Sequence, residues 1–171
     1  MSFMELAKAR YSVRKYSNAP VEEEKLALVL EAGKVAPTAC NYQPQKIFVV
    51  RSEENRKALA EITPCTFNAP VVLVIGYDAE RSAKGMIHET HDFGDTDAAI
   101  VCTHIMLEAA ELGLGTCWVG YFNEDKVKKA LGLPENVRVR ELLPLGYPAE
   151  GSAPAPGHTK YRPMEEMVAY L

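Results

Sequence analysis

Arg10, Ser12 and Arg14 stand two residues apart in Arg10-Tyr11-Ser12-Val13-Arg14-Lys15-Tyr16, a stretch of alternating character. In an extended chain, residues two apart face the same side. Two guanidinium groups and a hydroxyl therefore converge on one spot. That set suits a phosphate, whose oxygens accept forked donors from Arg and a hydrogen bond from Ser. A solvated basic stretch near a terminus is the plainer alternative. With 19 basic and 23 acidic residues, the chain carries a net charge of −4. An acidic protein that binds a dianion must concentrate cations locally, and near the far terminus such a place is Lys160-Tyr161-Arg162.

A second candidate is Ala36-Pro37-Thr38-Ala39-Cys40-Asn41-Tyr42-Gln43-Pro44-Gln45, between a helix stop and a strand start. Two prolines fix its backbone, and Thr38, Asn41 and Gln43 offer donors and acceptors; a polar connection without function is the alternative. Gly113-Leu114-Gly115 and Gly120 look briefly like a dinucleotide fingerprint. They follow a helix and precede a strand, the reverse of the order that puts pyrophosphate on a helix N-terminus. Gly113 and Gly115 read as a helix end, and Gly120 as a strand end where backbone can approach a flat ligand closely. His88-Glu89-Thr90-His91-Asp92 raises a metal site, but its spacing is not H-E-x-x-H and no third ligand is near in sequence. His104 reads as a packed, hydrogen-bonded residue. Cys40, Cys65, Cys102 and Cys117 form no C-x-x-C pair, and buried thiols are expected.

The elements that must position these residues are marked by their caps. Ser2-Phe3-Met4-Glu5 is a capping box opening a helix that ends near Lys8 or Ala9. Glu22, Glu23 and Glu24 load the first turn of a helix that Pro37 stops. Residues 46–50 form a strand, Ser52 caps a helix through Ile62, and 70–77 form a buried strand. Residues 78–93 show no clear period and are expected to be mobile or variable. An almost wholly apolar core helix runs over 95–112, closed by Gly113. Residues 116–119 form a strand, Asn123 caps a helix ending at Gly132, and 137–147 form the last strand. The tail 148–157 wanders over the surface, and a short helix covers 164–170. One mixed α+β domain over 1–171 is expected. The charge argues against a nucleic-acid binder, and no apolar run approaches the roughly 20 residues of a bilayer span. With no leader sequence apparent, the chain reads as cytoplasmic.

Four blocks then recur in a familiar order: Arg10-Tyr11-Ser12-Val13-Arg14, Pro37-Thr38-Ala39-Cys40-Asn41-Tyr42-Gln43-Pro44, Gly113-Leu114-Gly115-Thr116-Cys117-Trp118-Val119-Gly120 and Lys160-Tyr161-Arg162-Pro163. Together they resemble the nitroreductase family over essentially the whole chain, in a short form without the long mid-chain insertion. The resemblance implies an FMN-dependent oxidoreductase with a nitroreductase-like α+β fold. Its central, mostly antiparallel sheet would be flanked by helices, and a homodimer would complete the domain. By position, Arg10 and Ser12 would hold the FMN phosphate, aided by Lys160 and Arg162 from the tail, and Tyr11 would be among the cofactor-binding residues. Arg14 would reach the pyrimidine edge of the flavin ring. Pro37, Thr38, Ala39 and Asn41 would come from the partner subunit, and the backbone of Val119 and Gly120 would face flavin N5. Gln45 stands where many members carry Trp.

The implied reaction carries hydride from NADH or NADPH through flavin N5 to a nitroaromatic, quinone or similar small acceptor. No acid–base pair is needed for it. The alternatives are a family branch with other flavin chemistry, a flavin-binding carrier or redox sensor without turnover, and a small metal hydrolase built on residues 88–92.

Overall fold

The computed structural model describes residues 1–85 and 91–171. In chain order the elements are α1 (Phe3–Ala9), α2 (Glu23–Val35), β1 (Gln45–Val50), α3 (Glu53–Ile62), β2 (Val71–Asp78), α4 (Gly94–Glu111), β3 (Gly115–Thr116), α5 (Glu124–Leu131) and β4 (Val137–Gly146). The strands form one antiparallel sheet in the order β1-β2-β4-β3. Every residue of β2 is buried. That is why its sequence is a continuous apolar run rather than an alternating one, since both faces of a central strand are covered.

Alternate residues of β2 serve two cores. Leu73 and Ile75 join Val29 of α2 and Val101 and Ile105 of α4 on one face. Val72 and Val74 join Leu59 of α3 and Val127 of α5 on the other. The result is three layers, α2 and α4, the sheet, then α3 and α5. Each such fully buried aliphatic side chain contributes about 1.5–3 kcal/mol.

The caps hold the helices where the sequence sets them. Ser2 and Glu5 exchange hydrogen bonds of 3.3 and 2.7 Å in a capping box. The Ser52 hydroxyl accepts from Asn55 N–H at 3.3 Å, and Asn123 Oδ1 accepts from Lys126 N–H at 2.9 Å. Gly113 and Gly132 close α4 and α5 at φ of +77° and +62°, the left-handed region glycine enters without penalty.

Three expectations need correction. The strand expected over 116–119 is only Gly115–Thr116 plus an isolated bridge from Val119 to Leu142. Cys117 N–H reaches the carbonyl of Pro144 at 3.4 Å, and Pro144 has no N–H to continue the ladder. The helix expected over 164–170 is a single tight turn, Met164–Glu166. So short a segment is not stable as a helix without a surface to pack on. Of the four cysteines, Cys102 and Cys117 are buried, whereas Cys65 is half-buried and Cys40 exposed. Cys40 lies in a tight turn at a φ of +50° rather than in the core. The segment expected to be variable, 78–93, falls partly outside the described residues, as do His88, Glu89 and Thr90 of the metal reading. His91 packs edge-on against Phe93, and Asp92 Oδ1 accepts from Gly94 N–H at 2.9 Å at the start of α4.

Candidate functional site

The Arg10–Tyr16 segment is extended beside β3. Val13 N–H donates to Thr116 O at 2.8 Å, and Ser12 makes a parallel bridge to Thr116. Val13 is buried between Ser12 and Arg14, but Arg14 and Lys15 are both exposed, so the alternation holds from Ser12 to Arg14 and ends there. Arg14 Nη1 donates to Ser12 O at 3.2 Å. Beside them the Cys117 thiol is pushed up by burial, with the Arg14 charge and the Ser12 hydroxyl pulling it down.

The chain's far end returns to the same place. Lys15 Nζ donates to Glu150 O at 3.2 Å, Ala149 N–H donates to Lys15 O at 2.9 Å, and Tyr11 Oη lies 3.3 Å from Ser152 Oγ. His158 Nε2 donates to Lys8 O at 3.0 Å. Together Ser12, Arg14, Lys15 and Ser152 edge a groove of about 250 Å3. Lys160 and Arg162 are exposed on the tail beyond His158. Against expectation, Arg10 does not join Ser12 and Arg14: as the C-cap of α1 it is half-buried and edges a separate hollow of about 180 Å3, with Leu6, Ala110 and Gly113. Lys15 belongs to the groove although strict alternation pointed it away. The signal for it was its charge, adjacent to Arg14.

Gly120 lies just past the Val119–Leu142 bridge, and a Cβ placed on it would meet nothing within 4 Å. Trp118 and Tyr121 beside it are exposed. This is bare backbone that a planar group can approach.

The Pro37–Gln43 turn is elsewhere. Its backbone is wound tightly, with Cys40, Asn41 and Gln43 at φ of 50°, 55° and 50°. Each costs about 1–2 kcal/mol for a residue with a Cβ. Thr38 Oγ1 accepts from Gln43 N–H at 3.0 Å and closes the turn. Asp97, in the first turn of α4, accepts from Ala39 N–H at 2.8 Å through Oδ1. Burial pushes the Asp97 carboxyl up, opposed by the Ala39 hydrogen bond, and its Oδ2 is buried without a hydrogen-bond partner among the described residues. Sequence reasoning missed Asp97. An acid in a helix's first turn reads as a dipole partner, and only the fold shows it buried under the turn.

The expected site residues thus form two groups. Ser12, Arg14 and the tail lie by the C-terminal end of α4 and by β3, one edge of the sheet. Pro37, Thr38, Ala39 and Asn41 lie at the N-terminal end of α4, before β1 at the other edge. From Asp97 to Ala110, α4 rises about 20 Å at 1.5 Å per residue.

A three-layer α+β protein with a cationic groove at one sheet edge and a strained polar turn at the other defines a class, and the comparisons give its family. The family model described as Nitroreductase family matches residues 7–67 and 63–147, so the chain belongs to the nitroreductase family. A crystal structure of a nitroreductase family protein from Clostridium difficile 630 superposes with a TM-score of 0.92 at 36% identity, covering 99% of this chain and 98% of that one. An FMN-dependent nitroreductase from Clostridium difficile R20291 gives 0.81 at 27% identity, covering 98% of each. An FMN reductase [NAD(P)H] of Bacillus subtilis is 32% identical over 163 residues, 85% of this chain and 65% of its own length.

Proposed function

We propose that the chain is an FMN-dependent oxidoreductase working as a homodimer, with NADH or NADPH as electron donor and a nitroaromatic, quinone or similar small molecule as acceptor. The observation that carries this reading is the separation of the two residue groups along α4. One flavin cannot be held by both groups of a single chain across about 20 Å of helix, but a second copy in reversed orientation supplies the missing group. The surface between them is built for such a contact. Phe3 (66% exposed), Leu28 (50%) and Val35 (65%) stand out from the fold. With Leu107 and the half-buried His104 they edge an apolar groove of about 840 Å3 along α2 and α4.

The residues present fit the cofactor. Ser12 and Lys15 are donors that suit a phosphate, gathered on an acidic protein with Arg14 next to them. Arg10, Tyr11, Lys160 and Arg162 would complete that end, and the open space over Gly120, next to Val119, admits a flat ring. Bound FMN would accept hydride from the nicotinamide and pass it to the acceptor. The protein's part is orientation and charge. Arg14 would fix a positive charge beside the ring's polar edge, while the partner's Pro37, Thr38, Ala39 and Asn41 would cover its other side. No buried acid–base pair is called for.

A charge-assisted hydrogen bond contributes about 1.5–3 kcal/mol net. Arg10→Ala and Arg14→Ala should therefore each weaken FMN binding about 10- to 100-fold, measured by equilibrium titration. The first observation is direct: the purified protein should be yellow, release FMN on heating, and oxidise NADH or NADPH with menadione or a nitrofuran. A colourless protein that takes up no added FMN would overturn the reading.

A further inference from the structure

The cover over the flavin's second face would rest on a turn that is costly to hold. Cys40, Asn41 and Gln43 all sit in the left-handed region, and left to itself such a turn relaxes toward extended backbone. Its bonds to Thr38 are internal and move with it. The bond from Ala39 N–H to Asp97 Oδ1 is different, because it ties the turn to α4, the helix at the centre of the core.

Asp97 is a poor choice for packing. It is 1% exposed, among Ala98, Val101 and Cys102 on the buried side of α4. Its second oxygen has no hydrogen-bond partner among the described residues. A buried carboxylate with an orphan oxygen destabilises a fold relative to an apolar residue of the same size. What Asp97 supplies in exchange is an acceptor aimed at one donor, the N–H at the start of the strained turn.

We infer that Asp97 is a positioning residue. It holds the Pro37–Gln43 turn in the shape that covers the flavin, and does so for the site whose phosphate groove belongs to the partner subunit. This rests on the flavin-site reading above. It predicts that breaking the Ala39–Asp97 bond from either end has one and the same effect.

The test is a cycle of Asp97→Ala, Ala39→Pro and the double variant, with FMN affinity as readout and the visible circular dichroism of bound flavin as a second signal. Ala39 begins the tight turn and Thr38 before it is extended, at φ −133° and ψ 159°. Proline is therefore tolerated at 39 and removes the donor, but residue 39 would itself lie over the flavin, so the cycle is read from the coupling of the two changes and not from the Ala39→Pro loss alone. Each single variant should bind FMN about tenfold more weakly or worse, with a reduced flavin dichroism, and the double variant should lie within threefold of either. Wild-type affinity in Asp97→Ala overturns the proposal, and so do losses that multiply. Should Asp97→Ala fail to fold, Asp97→Val fills the buried space without an acceptor and decides: a tenfold loss of FMN affinity supports the anchor, and unchanged affinity overturns it. Arg14→Ala separates the two levels. If it weakens FMN while the cycle shows nothing, the anchor alone fails; if the native protein takes up no FMN, the flavin reading fails.

Discussion

At the scale of single residues, the side chains that reach solvent were legible and the buried acids were not. Ser12 and Arg14 announce themselves because an extended segment alternates, and a cation on an acidic chain stands out. Glu141 gave no such sign, since in sequence it is one more charge in a strand of charges. In the fold it faces Ile75 across β2 and β4, beside the irregularity between Ile75 and Gly76. Its Oε2 is buried and has no hydrogen-bond partner among the described residues. Burial pushes its carboxyl up to about 7; Arg140 pulls it down and Asp95 pushes it further up. Burial and Glu141 also push the nearby Cys102 thiol up. The unfolded chain releases this proton near 4.5, so between pH 4.5 and 7 the folded state binds more protons than the unfolded one. Stability therefore falls as pH rises through that window, by up to about 3 kcal/mol, and the loss is complete above the folded value. Glu141→Gln keeps the shape and removes the titration. It should match the native protein near pH 4.5 and exceed it by several degrees in Tm at pH 8, as thermal melts at both pH values would show. Equal melting temperatures at pH 8 would mean the carboxylate is solvated after all.

At the scale of elements, boundaries set by side-chain chemistry were readable: the box at Ser2 and Glu5, the caps Ser52 and Asn123, the closing glycines 113 and 132. Boundaries set by a partner were not. The β3 strand is cut short by Pro144 across the sheet, and the tail helix lacks a surface within its own chain. The same local reading classed Gly115 as part of a helix end, whereas its real constraint is tertiary. A Cβ there would lie 2.5 Å from Val13 Cγ2 and 3.1 Å from Pro148 Cγ. Val13 is the buried pin between Ser12 and Arg14, so Gly115→Ala should lift that segment off β3. The expected cost is about 1–3 kcal/mol of overpacking, read from urea denaturation, together with weaker FMN binding. Gly120→Ala is the contrasting case. Its methyl meets only open space, so stability should hold within about 0.5 kcal/mol, yet FMN affinity should fall because the methyl stands where the ring would lie. If Gly120→Ala binds FMN normally, the ring does not lie against residue 120.

At the scale of the whole molecule, α4 is the ruler that sets the two residue groups apart. It is apolar nearly all round, and its buried side alone does not account for that. Leu107 and His104 face outward and, with Leu28 and Val35 of α2, form a groove that one copy leaves in water. The tail adds Tyr161, Met164, Met167, Val168 and Tyr170, all exposed. Exposed apolar surface on this scale marks an interface. A two-fold contact along α4 would cover it and also bring one copy's Asp97-anchored turn to the other's Ser12–Arg14 groove. Assembly and cofactor binding are then one event, which a single substitution tests. Leu28→Glu leaves the buried cores untouched, because its side chain points away from them, but places a charge in the groove. It should sediment at the mass of one chain, keep its secondary structure by circular dichroism, and lose FMN along with the partner. Adding FMN in large excess should shift the variant back toward the dimer, since a ligand that bridges two copies stabilises their association. A Leu28→Glu protein that stays monomeric and still binds FMN as tightly as the native protein would show that one chain completes its own site, and the ruler argument would fall with it.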